Sequence, residues 1–293
     1  MDLVQALEEI NDCLDTFQPE QALVLCKKAL EEDPKNILVL QTFASVQMEL
    51  GDFDHALSLL NKAIDLEPNS GFEKFLAMAQ IHSAHEALAF YKKGYSILES
   101  EYQQYEMTQE ELSEKLASIL CSQAELFMTD LCMEEGAEQE CEKILMRARD
   151  LAAKNFDVVR LIADLRLVQC RDEEAVQEAK LAFSLISKDS SFDSRLAFSR
   201  LLIELEMYDL AQELLSEIIQ EDDTLTLNFY LLALCFYNIG LKEDCLEGCA
   251  VVKLRLEKEL DKELLSAVQE LEEKAILLED VEEMEEADEE EEQ

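Results

Sequence analysis

Small residues recur along this chain at intervals of 34 positions, and this period constrains the fold more than any other feature of the sequence. Three separate stretches repeat at that interval: Ala22, Ala29 and Pro34 return as Ala56, Ala63 and Pro68; Cys141, Leu145 and Ala148 return as Ala175, Ala179 and Ala182; and Ala211, Leu215 and Ile218 return as Cys245, Cys249 and Val252. A fixed period of this length predicts an array of similar structural units.

A period of 34 residues is typical of the tetratricopeptide (TPR) repeat, a pair of helices joined by a turn. Two helices pack closely only where small side chains lie at their crossing, and seven positions meet that need: Ala22, Ala56, Ala87, Cys141, Ala175, Ala211 and Cys245. Gly51 and Gly240 follow first helices, where a glycine commonly ends a helix. We therefore predict an all-α fold, a TPR-like right-handed superhelical solenoid of seven helix pairs.

The spacing of the units and the composition near the C-terminus predict how the chain is organised. The interval from Ala56 to Ala87 is 31 residues and that from Ala87 to Cys141 is 54, so the third unit should be shortened and the fourth extended. We assign residues 1–256 to the repeat array and 257–278 to a helix that caps its open end, because solenoids need a cap. Residues 279–293 include 11 acidic residues and no basic one, which predicts a disordered, solvated tail.

The charge of the chain limits its partners. It holds 67 acidic and 25 basic residues, which gives a formal net charge of −42 and argues against direct binding of nucleic acid or of an anionic membrane surface. Nine cysteines without a close CxxC pair fit reduced thiols better than a disulfide framework. Residues 1–9 lack the basic and apolar regions of a secretory signal. We expect a monomer of the cytoplasm and nucleus.

Residues with catalytic or metal-binding chemistry are few. The sequence contains no GxSxG elbow, no HExxH motif and no Gly-rich phosphate loop. His82 and His85 could share one helix face, but no further ligands converge on them. Cys141 and Cys245 fall on the small-residue position of the repeat, so packing explains them without chemistry. We predict a binding protein that is not an enzyme and that uses no metal and no cofactor.

The first helices of a TPR array line a concave surface that can hold an extended peptide. A clamp for an acidic peptide tail is disfavoured here, because only Asn11 on the first two such helices suits that role. The later first helices mix acidic, apolar and aromatic residues, which favours a segment that interleaves Lys and Arg with apolar anchors. The candidate client-binding residues on these faces are Asp157, Asp164, Glu204, Tyr230 and Tyr237.

One stretch is more specific than a generic repeat. Residues 124–132 read AELFMTDLC, and an acidic turn then leads into the sequence AEQECE at 137–142. This pattern resembles the dedicated assembly chaperones of large-subunit ribosomal protein four, in which Thr-Asp-Leu-Cys ends an extended first helix. The resemblance implies client-binding roles for Glu125, Thr129 and Asp130, and it includes Cys132. It also implies that the chain captures newly made ribosomal protein four, protects its basic, extended loop and delivers it for nuclear ribosome assembly.

Two alternatives stay open at the level of the sequence. An acidic TPR histone chaperone would also combine helical repeats with an acidic segment. Such proteins often carry the acidic run inside a repeat and have a basic import signal, and neither feature is seen here. A scaffold that joins subunits of a larger complex would need apolar patches on the convex face, which the sequence does not exclude.

Overall fold

The computed structural model describes residues 3–104, 107–188, 190–259 and 261–278. Within these ranges the chain forms fifteen α-helices, one short 3-10 helix at Tyr102–Gln104 and no strand. The helices are α1 (Leu3–Asp15), α2 (Pro19–Glu32), α3 (Ile37–Glu49), α4 (Phe53–Leu66), α5 (Glu73–Ile81), α6 (Ala84–Glu101), α7 (Gln109–Met128), α8 (Ala137–Leu151), α9 (Phe156–Val168), α10 (Asp172–Leu185), α11 (Phe192–Glu204), α12 (Tyr208–Glu221), α13 (Thr226–Asn238), α14 (Lys242–Glu259) and α15 (Lys262–Ile276). The prediction of an all-α fold is confirmed.

The helices follow one another as seven pairs, from α1 and α2 to α13 and α14, with α15 left over. All seven small residues that the period singled out lie on second helices, and each is at most 1% exposed. The crossing is close at Gly248 of α14, where an added Cβ would lie 2.9 Å from the Cβ of Ala233 on α13. The repeated small residues therefore allow the two helices of a pair to approach each other closely.

The turn inside a pair repeats as closely as the helices do. In five pairs the second residue after the first helix has a positive φ: Phe17 (54°), Gly51 (75°), Cys170 (56°), Glu206 (57°) and Gly240 (84°). The amide that follows each of these residues donates to the carbonyl five positions earlier, as in the 2.8 Å bond from Asp52 to Gln47. This is the left-handed helix ending that glycine favours, yet only two of the five positions carry glycine.

The third and fourth pairs depart from the period as the spacing predicted. Helix α5 has only 9 residues, whereas α7 has 20. Thr108 begins α7 with a capping box: its hydroxyl oxygen accepts from the Glu111 amide, and the Glu111 carboxylate accepts from the Thr108 amide. The eight residues 129–136 then form an enlarged turn before α8. The fourth unit is extended both in its first helix and in its turn.

The last described helix begins later than predicted. Helix α14 continues to Glu259, and the carboxylate of Asp261 accepts 3.0 Å hydrogen bonds from the amides of Glu263 and Leu264. Because this carboxylate is an N-cap, the following helix starts at Lys262 rather than at position 257. Helix α15 packs on α13 and α14 through the apolar residues Val268, Leu271 and Ala275, which are at most 4% exposed. The predicted disorder of 279–293 concerns residues outside the described ranges.

The chain divides into two compact units, Met1–Leu161 and Ile162–Gln293, with the boundary inside α9. A core of the first unit includes Ile10, Ala22, Cys26, Phe43 and Val46 from its first three helices. A core of the second unit is formed by α13, α14 and α15. The assignment of residues 1–256 to a single array stays a prediction.

Candidate functional site

Two acidic residues that the sequence singled out lie around one buried arginine in the first unit. An Oε1 oxygen of Glu125 on α7 is 3.1 Å from Nη2 of Arg160, and an Oδ1 oxygen of Asp157 is 3.6 Å from its Nε. The Arg160 side chain is 8% exposed, while those of Glu125 and Asp157 are 50% and 38% exposed. Glu125 and Asp157 come from consecutive first helices, so the repeat itself brings them together.

A third carboxylate extends this group. The side-chain amide of Asn155, at the start of α9, donates a 2.6 Å hydrogen bond to Glu114 of α7. We call Glu114, Glu125, Asp157 and Arg160 the acidic cluster; three carboxylates against one guanidinium leave it with two excess negative charges at neutral pH. The pKa of the neighbouring Cys121 thiol is raised, first by burial and then by the charges of Asp157 and Glu125. The surface of the acidic cluster therefore attracts a cationic group and repels a further anionic one.

Thr129 and Asp130 lie in the enlarged turn and have partners within the protein. The Thr129 hydroxyl donates a 2.8 Å hydrogen bond to the Glu125 carbonyl at the end of α7. A carboxylate oxygen of Asp130 accepts a 2.9 Å hydrogen bond from the amide of Ala84, the first residue of α6. Beside it, His85 is 2.6 Å from Glu134 of the same turn. The turn thus holds the start of α6, and contact of Thr129 or Asp130 with a client stays a prediction.

The two tyrosines predicted from α13 line one pocket of about 290 Å³ in the second unit. Tyr230 and Tyr237 share it with Tyr208 of α12 and with Glu270 and Lys274 of α15, and we call these five residues the tyrosine pocket. Partial burial raises the pKa of the Tyr230 hydroxyl, so this phenol remains protonated at neutral pH. Three rings and one carboxylate give the pocket the chemistry that receives cationic side chains.

A lysine of the protein already uses that chemistry. The Lys274 ammonium is 2.7 Å from an Oε1 oxygen of Glu270, four residues earlier on α15. The hydrogen bond between them lowers the pKa of the Glu270 carboxyl and raises that of Lys274. Both side chains are more than half exposed, so their pairing is weak and open to exchange.

Asp164 and Glu204 are placed apart from the tyrosine pocket. Asp164 is partly buried on α9, and Glu204 is the exposed last residue of α11; neither is among the residues that line that pocket. Their contact with a client stays a prediction.

Sequence reasoning missed Arg160, Tyr208, Glu270 and Lys274 as members of these sites. Arg160 lies 35 positions after Glu125, close to one repeat, so the period could have paired them. The spacing of Glu270 and Lys274 is that of a helical ion pair, but nothing in the sequence shows which face of α15 meets α13.

Among the residues that the structure describes, those with metal-binding chemistry do not form a site. In the described part of the chain, no group of three or more His, Cys, Asp or Glu side chains could hold a metal ion. Cys26, Cys141, Cys245 and Cys249 are buried, and burial raises the pKa of the Cys26 thiol to about 12. None of the described helices is long and apolar enough to cross a membrane.

Comparison with known proteins places these features in a family. The sequence profile of the tetratricopeptide repeat matches residues 14–81. A protein of Schizosaccharomyces pombe named probable assembly chaperone of rpl4 is 35% identical over 240 residues, which is 77% of this chain and 71% of that protein. A protein of Emericella nidulans with the same name is 30% identical over 252 residues, which is 78% of this chain and 63% of the relative.

Solved structures agree with this relationship. The structure of the assembly chaperone of RpL4 (Acl4) matches with a TM-score of 0.68 and 27% identity, over 83% of this chain and 98% of that one. The Cut9–Hcn1 hetero-tetramer of the APC/C matches with a TM-score of 0.64 over 91% of this chain and 48% of that one. At 10% identity the second match shows the fold alone.

Proposed function

We propose, from the premise that this chain belongs to the family of the assembly chaperones of rpl4, that it binds newly made ribosomal protein four of the large subunit. It protects the basic, extended segment of that client and delivers it for ribosome assembly in the nucleus. The observation that carries the proposal is the 35% identity to the S. pombe relative over 77% of the chain. Neither a histone chaperone nor a scaffold gains comparable support.

The acidic cluster supplies a site for cationic side chains of the client. Its Arg160 side chain is nearly buried, whereas those of Glu125 and Asp157 keep exposed surface. Arginine or lysine of an extended segment would pair with this outer surface and compensate the excess negative charge. Charge-assisted hydrogen bonds of this kind are stronger than neutral ones and depend on geometry.

The tyrosine pocket supplies a second site, in the other unit. A client arginine or lysine that enters it would stack on Tyr230 or Tyr237 and take the place of Lys274 beside Glu270. A cation over an aromatic face gains about 0.5–2 kcal/mol, depending on how far it is desolvated. The pocket therefore favours client segments in which the residues next to an Arg or Lys can lie against an aromatic surface.

The protein acts by binding and not by catalysis, as a monomer in the cytoplasm and the nucleus. Its net charge of −42 attracts a basic client over a distance and repels RNA, so the client is kept from stray nucleic acid. Release follows at the assembling ribosome, where ribosomal RNA competes for the same basic segment. RNA is a strong competitor because neutralising its phosphates releases condensed counterions.

The test is the affinity of purified rpl4 for variants of the two sites, measured by titration calorimetry at fixed salt. We expect Glu125→Gln with Asp157→Asn to weaken binding at least 10-fold, since even one charge-assisted hydrogen bond is worth about 1.5–3 kcal/mol and about 1.4 kcal/mol is tenfold. Tyr230→Leu with Tyr237→Leu should weaken it less, about 3-fold, because the apolar contact remains.

The matched control is Glu213→Gln, which removes an exposed charge from the second helix α12 and should leave the affinity unchanged. Circular dichroism of each variant separates loss of contact from loss of fold. If both double variants bind rpl4 as well as the parent chain does, the client binds elsewhere and the assigned surfaces are wrong.

A further inference from the structure

The first unit contains a cleft with the opposite charge to the rest of the protein. The cleft lies between α6, α7 and α8 and has a volume of about 260 Å³. A water molecule occupies about 30 Å³ in the liquid, so the cleft has room for side chains of a partner. Its polar lining residues are Lys92, Tyr95, Gln123, Glu140, Lys143 and Arg147, which we call the basic cleft.

Three cations lie at the basic cleft against two carboxylates, the lining Glu140 and Glu99, which pairs with Arg147. Across the whole chain acidic residues outnumber basic ones 67 to 25, so a local excess of positive charge runs against the composition. Lys92 comes from α6, while Lys143 and Arg147 lie four residues apart on one face of α8. The excess therefore comes from two helices whose packing is fixed by the fold.

The guanidinium of Arg147 is held in place before any ligand arrives. Its central carbon lies 4.6 Å from the centroid of the Tyr95 ring, and its Nη2 is 3.0 Å from an Oε1 oxygen of Glu99. Lys143 is 3.6 Å from Glu140. Arg147 and Lys143 are thus already paired with carboxylates in this geometry. The exposed ammonium of Lys92 has no hydrogen-bond or ion-pair partner among the described residues.

A buried amide faces the same space. Gln123 of α7 is only 4% exposed and lines the cleft, yet its side chain makes no hydrogen bond with any residue in the described part of the chain. Among the described residues, the amide atoms of Gln123 do not belong to the fully buried atoms that lack a partner, so they reach the solvent in the cleft. Its NH₂ group can donate to a carboxylate that also pairs with Lys92 or Lys143.

We propose that the basic cleft docks a glutamate- or aspartate-rich segment of a second protein, at a surface separate from the client-binding sites. A basic client would be repelled by Lys92, Lys143 and Arg147, so it is not the occupant. A long polyanion such as RNA would meet the net charge of −42 along its whole length, whereas a short acidic segment places a few carboxylates directly against the three cations.

This arrangement has a distinctive salt dependence. The repulsion between an acidic segment and the chain as a whole acts over long distances, and at 0.1 M ionic strength charges more than about 10 Å apart are largely screened. The contacts inside the cleft are much shorter than this screening length, so they are screened less than the long-range repulsion. Raising the salt from 20 to 100 mM, two concentrations chosen for the experiment, should therefore leave the affinity unchanged or increase it.

The experiment measures binding of a fluorescein-labelled decapeptide of alternating glutamate and serine to the full chain by fluorescence anisotropy. The double variant Lys92→Gln with Lys143→Gln removes two exposed charges from the cleft without touching its buried residues. The matched control is Lys62→Gln with Lys180→Gln, which removes two exposed lysines from other helices. We expect a loss of at least 10-fold in the cleft variant, no loss in the control variant, and unchanged rpl4 binding in both.

Three results would overturn the proposal. One is an affinity of the cleft variant equal to that of the parent chain. Another is no binding of the peptide by the parent chain, or equal binding of a peptide in which glutamine replaces glutamate. The third is tighter binding of a ten-nucleotide single-stranded RNA that is lost in the cleft variant, since this would assign the cleft to nucleic acid.

Discussion

At the scale of single residues, the repeated turn requires a left-handed backbone at one position. Only some of these positions carry the glycine that favours this conformation. Gly51 and Gly240 carry glycine at this position, whereas Phe17, Cys170 and Glu206 adopt the same backbone conformation with a side chain. Sequence analysis predicted the turn only where glycine marks it. The structure shows that the closing hydrogen bonds and the helix packing impose the turn at the other positions as well.

This turn can be tested with two substitutions that should change the free energy of unfolding in opposite directions. An added Cβ at Gly240 would meet no atom within 4 Å, so the positive φ alone decides the outcome. Gly240→Ala should lower the free energy of unfolding by about 1 kcal/mol, because a side chain is strained in this region. Glu206→Gly should raise it by a few tenths to about 1 kcal/mol, since the strain is removed while the unfolded chain gains freedom.

The measurement is the midpoint of urea unfolding, followed by circular dichroism for both variants and the parent chain. Glu206 is exposed, so its replacement removes no core packing. Shifts of the same sign in the two variants would contradict a common turn requirement.

At the scale of elements, the enlarged turn between α7 and α8 is the feature that the repeat could not predict. The period fixed which residues lie at helix crossings, because these contacts repeat locally in every pair. The hydrogen bond from the Ala84 amide to the Asp130 carboxylate joins residues 46 positions apart. Sequence resemblance marked the Asp130 segment as special, but its contact with α6 depends on how the inserted residues fold back.

Asp130 therefore has a structural role that can be separated from a role in client binding. Asp130→Asn keeps an oxygen that can accept from the Ala84 amide and removes the negative charge. Asp130→Ala removes both, and it should lower the free energy of unfolding by about 0.5–2 kcal/mol, as the loss of an N-terminal helix cap does. Thermal unfolding and rpl4 affinity are measured for both variants.

We expect Asp130→Asn to retain nearly all of the stability. If its rpl4 affinity falls while the fold is intact, Asp130 contacts the client through its charge. If Asp130→Ala is as stable as the parent chain, the hydrogen bond to α6 contributes nothing and the structural account of this turn is wrong.

The candidate sites were predictable to different degrees for a physical reason. Glu125 and Asp157 come together because neighbouring first helices repeat with the same register, and the sequence contains that register. The tyrosine pocket needs Glu270 and Lys274 from α15, which belongs to no repeat. Its orientation is set by tertiary contacts, including the hydrogen bond of 2.8 Å from Lys242 of α14 to the Leu278 carbonyl.

At the scale of the whole molecule, charge decides which partners can approach. The net charge of −42 is far larger than solubility needs, since a small domain is well served by a magnitude of about 2–8. Such a field speeds the encounter with basic proteins of every kind, so it cannot by itself select one client. Selection must come from local geometry, and we propose that the acidic cluster and the tyrosine pocket provide it.

The proposed role as a dedicated chaperone of rpl4 is best tested by competition between basic proteins. The purified chain is mixed with equimolar rpl4 and core histones at 150 mM salt, a concentration chosen for the experiment, and the complexes are separated by size-exclusion chromatography. We expect rpl4 to elute with the chain in a one-to-one complex while the histones elute apart. Elution of histones with the chain at the expense of rpl4, or no complex with rpl4 at all, would contradict it.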